Sequence, residues 1–337
     1  MIRPSHIFAA VLATSSAGAI AQSVNISGVL DEFVAVTHTG GQDFTRLDSN
    51  GLMASRLVFS GLEDLGNGLK AKFFLENGFS PDTGAQSDPT RLFNRQAYVG
   101  LISGLGEFRL GRLTSPQFFM EGQFDAFQGA TMGSGFNNLV TYSVRFDNSV
   151  AYITPATLGP FKVQAVASLN EGFTGRRVAA TVAGVEYKDG PLYLGANYAN
   201  VQDARTLAVT KTGFAGGNYA FGPAKVFVGY FQAKTDNGSL NRQTLGLSGQ
   251  YSVSPTLVLV AGYARANDKT AANADGSQIS AGFFQDLSRR TMLYGNVSKL
   301  SNKRTAAFSL NTATALGVVP QPGNGVTGVQ FGIRHLF

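Results

Sequence analysis

Apolar and polar positions alternate residue by residue over much of this chain. Leu69, Ala71, Phe73 and Leu75 fall on one side of a segment whose other side carries Lys70, Lys72 and Glu76. Further on, Phe161, Val163 and Ala165 oppose Lys162, Gln164 and Ser168, and Leu192, Leu194, Ala196 and Tyr198 oppose Tyr193, Gly195 and Asn197. The chain closes on Val329, Phe331, Ile333 and His335 in phase with Phe337, against Gln330, Gly332 and Arg334. A period of two is the signature of a strand whose faces meet different surroundings. No helical periodicity is sustained, and no run of ~18 apolar residues predicts a transmembrane helix. The first strand is less regular, because Asp31-Glu32 interrupts Val24 to Val36. That break suggests a bulge or a contact with another subunit.

Turn signals divide the pattern. Tight connections are expected at 63–68, 103–106, 155–160, 188–191, 221–223, 252–255 and 286–289. Longer polar stretches lie between them, at about 38–50, 80–90, 114–144, 170–176, 202–206, 235–241, 267–277 and 302–324. Apart from Pro4, every proline lies at a strand end or in a loop, as ladder hydrogen bonding requires. Seven short turns alternating with eight long loops predict sixteen strands of ~10 residues, an arrangement typical of outer-membrane barrels. An exported soluble β-sandwich, such as a lectin or adhesin, would alternate too, but with its polar face outward.

The N-terminus and composition favour the barrel. Residues 1–21 have the layout of a secretory signal: Arg3, an apolar run from Ile7 to Ala13, and Ala19-Ile20-Ala21 for cleavage. The expected organisation is therefore a signal peptide over 1–21 and one barrel over 22–337. The chain holds 41 Gly, 26 Phe and 11 Tyr with only 14% charged residues, a mixture suited to closely approaching strands and a lipid-facing surface. Cysteine is absent, which excludes disulfides, thiolate metal sites and cysteine nucleophiles. The formal charge of +6, or +5 without Arg3, comes with no basic tract, so nucleic acid is not an expected partner.

Candidate chemistry is sparse outside the charged residues. His6 belongs to the signal, His38 to an expected loop and His335 to the outward face of the last strand, and none has the setting of a hydrolytic triad. No zinc-ligand spacing is present, and no cofactor is expected. Gly323-Asn324-Gly325 near Gly328 lacks the lysine and the strand-to-helix context of a phosphate loop. The loop over about 114–144 carries Phe118, Phe119, Phe124 and Phe127 beside Glu121 and Asp125. So many rings in a long loop point to inward folding, where a wide barrel would bury them. Arg56, Arg91, Arg95, Arg109 and Arg145 recur on the flanking strands. Phase sets Leu57 and Phe59 outward around Arg56, Gln96 and Tyr98 around Arg95, and Phe146, Asn148, Val150 and Tyr152 around Arg145. A charge facing lipid near the midplane costs ~2–4 kcal/mol, so these arginines are expected to face the lumen.

Several stretches resemble the trimeric general porins of Gram-negative bacteria, especially those of beta-proteobacteria. They are Gly61 to Ala71, Arg91 to Gly100, Gly106 to Arg112, Leu287 to Tyr294 and Thr327 to Phe337. The resemblance spans the whole mature chain. It implies an all-β, 16-stranded antiparallel transmembrane barrel, assembled as a homotrimer in outer-membrane lipid and lipopolysaccharide. It also implies a third external loop folded into each lumen. A basic wall at Arg56, Arg95 and Arg145 would face Glu121 and Asp125 on that loop, with Arg109, Arg91, Lys70 and Lys72 as further lumen cations. Ser60 and Leu57 stand where the family commonly has a second Arg and an aromatic. The tail around Leu287 to Lys303 is similar to anion-selective members. The expected function is passive diffusion of small hydrophilic solutes and anions, with a substrate-specific porin as the alternative and a barrel hydrolase as the enzymatic rival.

Overall fold

Successive staves of one sheet pair antiparallel in chain order, and the last returns to the first. The computed structural model describes residues 23–172, 175–313 and 315–337. The expected signal peptide, with Arg3 and His6, lies outside the described residues. The strands are β1 (Ser23–Thr39), β2 (Gln42–Ser49), β3 (Arg56–Gly66), β4 (Leu69–Ser80), β5 (Ala85–Gln86) and β6 (Gln96–Ser103). They continue with β7 (Gly106–Thr114), β8 (Arg145–Ile153), β9 (Phe161–Leu169), β10 (Val178–Asp189), β11 (Leu192–Gln202) and β12 (Val209–Phe221). The last six are β13 (Ala224–Thr235), β14 (Asn241–Ser252), β15 (Leu257–Asp268), β16 (Gly276–Asp286), β17 (Thr291–Asn302) and β18 (Val326–Leu336).

Eighteen segments make sixteen staves. β2 and β3 are two lengths of one stave, since both pair with β1, and β5 is a two-residue addition to β4. Closure comes from β18 against β1, in register from Val29 opposite Leu336 to His38 opposite Thr327. A closed sheet has no edge, so its backbone groups are satisfied internally, as a hydrocarbon surrounding requires. All seven short turns fall where the sequence predicts them.

The side chains point in the membrane-protein sense. Val36, Val99, Leu101, Leu247, Val297 and Phe331 are exposed on the outer surface, whereas Gln164, Asn197, Ser248, Gln278 and Gln330 are buried on the inner one. A soluble sandwich would show the reverse, so that rival fails.

Four local expectations need correction. The first long loop, placed at 38–50, is mostly strand: β1 and β2 form a hairpin turning on Gly40 and Gly41, both at positive φ. Outside the apolar belt both faces of such a hairpin are polar, so it lacks an alternation to detect. His38 consequently lies in β1, its ring 2.7 Å from Asp43. Gln96 and Tyr98 face inward, because Val99 and Leu101 hold the outer positions of β6 and Arg95 lies before the strand begins. Phe146 is buried with Tyr98 and Leu113 instead of facing out. Register shifts between Gly111 and Leu113, and Asn148 adopts φ 51°, so phase does not carry through this hairpin. β1 runs unbroken through Asp31-Glu32, so no bulge lies there; the irregularity is in the neighbouring stave, where residues 50–55 leave the sheet between β2 and β3.

Candidate functional site

The long loop between β7 and β8 contains two short helices, α1 (Pro116–Glu121) and α2 (Gly135–Leu139). Serines cap both: Ser115 Oγ accepts from Gln117 N, and Ser134 Oγ from Asn137 N. Pro116 starts α1 at a position where its missing N–H costs nothing.

This loop docks on the inner face of β10 to β18. Gln117 Nε2 donates to Asn197 Oδ1 at 2.8 Å, Ala126 N to Ser248 Oγ at 2.9 Å, and Asn138 Nδ2 to Gln278 Oε1 at 2.8 Å. Met132 N donates to Gln330 Oε1 at 3.2 Å. Between these bonds, Phe124, Phe136 and Met120 pack with Phe214 and Phe231, the last two with ring centroids 4.4 Å apart. The Phe136 ring lies on Gly229 and Gly246, where a Cβ would come within 2.8 Å of it. Wall glycines thus make room for loop aromatics.

The docked loop leaves a cavity of about 1280 Å³ against the opposite wall, lined by Arg56, Arg95, Arg145, Glu76, Gln96 and the loop residues Phe118, Phe119, Glu121 and Asp125 among others. Arg56 stands midway along the β2–β3 stave. Its Nε lies 3.2 Å from Glu76 Oε1, and Arg95 Nε approaches the same oxygen at 2.9 Å. Gln96 Nε2 donates to Glu76 Oε2 at 2.9 Å. Among the described residues, Arg145 has no carboxylate within ion-pair distance, and its Nε has no hydrogen-bond partner. Two guanidinium groups therefore share one carboxylate and the third has none, leaving two positive charges in excess on this wall.

The loop acids are occupied elsewhere. Tyr142 donates its hydroxyl to Glu121 Oε2, and burial pushes the Glu121 carboxyl up to about 8. Asp125 accepts from Ser134 Oγ, from Phe127 N at 3.1 Å and from Ser248 Oγ at 3.4 Å. Burial raises its pKa as well. Neither acid forms an ion pair with the wall arginines.

The remaining expected cations lie apart from this cavity. Arg109 makes a two-pronged bond to Glu107 at 2.8 and 2.9 Å beneath the Tyr98 ring, with Lys72 3.5 Å from Glu107. This cluster sits toward the short-turn end. Lys70 stands at the start of β4, opposite Asp64 and Ile102. Arg91 joins Asp88 at 3.2 Å and Asp147 at 3.0 Å, tying the loop before β6 to β8. Glu76 and Tyr142 escaped the sequence reading as site residues. Glu76 was visible as the acid among inward positions of its strand, but its sharing between two arginines depends on three staves coming together.

A closed sixteen-stave barrel with an apolar exterior and a charged internal cavity is a membrane-spanning channel. The family model for the Gram-negative porin matches residues 9–305, and the chain belongs to that family. It is 32% identical to outer membrane porin protein 32 of Delftia acidovorans over the full length of both chains. It is 30% identical to an outer membrane porin protein of Bordetella pertussis, covering 78% of this chain and 81% of that one. In structure it is similar to an anion-selective porin from Comamonas acidovorans, with a TM-score of 0.81 and 30% identity over 94% of this chain and 100% of that one. The protein is accordingly an integral outer-membrane porin and not an enzyme.

Proposed function

We propose that this porin passes small hydrophilic solutes by passive diffusion, with a mild preference for anions set at the cavity between the constriction loop and the arginine wall. The carrying observation is the charge imbalance there: Arg56, Arg95 and Arg145 against Glu76, while the loop carboxylates bond within the protein. Low-dielectric walls focus such a field, which concentrates counter-ions and orients dipolar solutes in the narrow zone. The likeness to the anion-selective Comamonas porin supports the same sign. The constriction comprises the basic side Arg56, Arg95 and Arg145 and the loop side Glu121 and Asp125. Arg109, Lys72 and Lys70 extend the basic path toward the short-turn end, and Arg91 stands at the loop end. The family resemblance supports a homotrimer in outer-membrane lipid and lipopolysaccharide, and unheated gel mobility with cross-linking measures that assembly. The reversal potential of the protein in a planar bilayer under a salt gradient tests the selectivity: cation preference overturns it. Conductance that saturates or is blocked by one solute would assign a dedicated binding site instead.

A further inference from the structure

Residues 50–55, which depart from the sheet between β2 and β3, have no role in the proposed channel function. Between the Glu32–Ser49 and Val29–Arg56 pairs, two residues of β1 face six of this stave, so four are surplus to the ladder. Asn50 adopts φ 74°, and its side-chain oxygen accepts from Ser55 N at 2.5 Å, closing the segment into an inward loop. Asp31, fully buried on β1, takes over the freed amides: it accepts from Gly51, Leu52 and Met53 N at 2.9, 3.0 and 2.8 Å. The Tyr294 hydroxyl adds a fourth donor at 2.6 Å. A buried carboxylate is tolerated only when its oxygens are bonded in this way, and such charge-assisted bonds hold geometry firmly. Gly51 is required by space, since a Cβ there would lie 2.0 Å from the Tyr294 hydroxyl oxygen.

The segment reaches the filter. Leu52 packs under it with Phe33 and Tyr294, while Met53 and Ala54 line the channel cavity. The Ala54 carbonyl accepts from Arg56 Nη1 at 3.0 Å, fixing one of the three wall guanidinium groups. Gln330 joins this segment to the constriction loop, donating to the Gly51 carbonyl at 3.2 Å while accepting from Met132 N at 3.2 Å. Breaks in strand pairing of this kind concentrate beside functional sites, where they re-aim side chains.

We propose that residues 50–55 form a second constricting element, on the wall that carries the arginines, and that Asp31 is the positioning residue that holds it and, through Ala54, Arg56. This deepens the anion-channel reading and rests on it. The chain has no cysteine, so Met53→Cys supplies a single thiol. A methanethiosulfonate reagent added to reconstituted Met53→Cys channels is expected to lower conductance in discrete steps, with no effect on wild type. Asp31→Asn and Tyr294→Phe are expected to raise single-channel conductance and move the reversal potential toward zero, in the order Asp31→Asn before Tyr294→Phe. Heat-modifiable gel mobility reports that each barrel is folded, and Tyr294→Phe carries the test should Asp31→Asn not assemble. Open Met53→Cys channels that ignore the reagent, or folded variants with the wild-type reversal potential, overturn the proposal. A wild type without anion preference instead fails the parent reading, and the thiol block then still decides whether 50–55 narrows the lumen.

Discussion

The two inner walls of this barrel differ in kind. The wall from β3 to β8 carries Arg56, Arg95, Arg145 and Glu76 and stays open to the cavity. The wall from β10 to β18 presents Asn197, Ser248, Gln278, Gln330 and glycines, and is covered by the constriction loop. Neutral amides and hydroxyls can be buried once each has a partner, whereas an unpaired charge cannot. The loop therefore settles where the wall offers neutral bonds and small residues, and the charges keep the open space. On the proposed function, narrowing and selectivity are thus built on opposite sides of one lumen.

The largest test of that division is to neutralise the open wall. Replacing Arg56, Arg95 and Arg145 with glutamine is expected to abolish anion preference while the covered wall keeps the loop docked and the barrel folded. A reversal potential equal to wild type would show that the charged wall does not set selectivity. Next is the covered wall. Phe136→Ala removes a fully packed ring, at a cost of about 3–5 kcal/mol borne by loop docking. Open-channel current noise should rise with little change in the sign of selectivity, and variant records as quiet as wild type would refute the docking role.

A smaller effect is expected from pH. Glu121 holds its proton up to about 8, so raising the pH past that value adds a negative charge beside the cavity and should weaken anion preference. Because its pKa in the folded protein is raised above 4.5, its contribution to loop docking is complete below that pH, declines above it, and is exhausted beyond about 8. Glu121→Gln should remove this pH step, read from reversal potentials at about pH 7 and 9, on either side of that pKa. The smallest effect is at Arg91, a half-exposed residue whose ion pairs face solvent. Arg91→Ala should leave selectivity nearly unchanged, since such pairs contribute about 0–1 kcal/mol. A large change there would move the filter toward the loop end.

The legibility of the sequence follows the same physics. Strand number and turn positions could be read because lipid contact forces alternation on every stave, as the final run from Val329 to Phe337 shows. The β1–β2 hairpin reads as a loop because polar residues stand on both of its faces, Asp43 and Thr45 on one and Arg46 and Asp48 on the other, although its exposure alternates. Phase failed at Phe146, where a register shift and Asn148 at positive φ break the count of two. Arg56, Arg95 and Arg145 were visible as inward cations, since lipid excludes charge.

By itself, then, the order of residues determined a sixteen-stave barrel, its inside and outside, and an aromatic loop seeking burial. Those features depend on local period and on the solvent each face must meet. The tertiary structure decided that Glu76 would serve two arginines, that Glu121 and Asp125 would bond within the protein, and that Asp31 would pin residues 50–55. These outcomes depend on distances between staves far apart in the chain, set by barrel closure and loop docking, which no local pattern encodes.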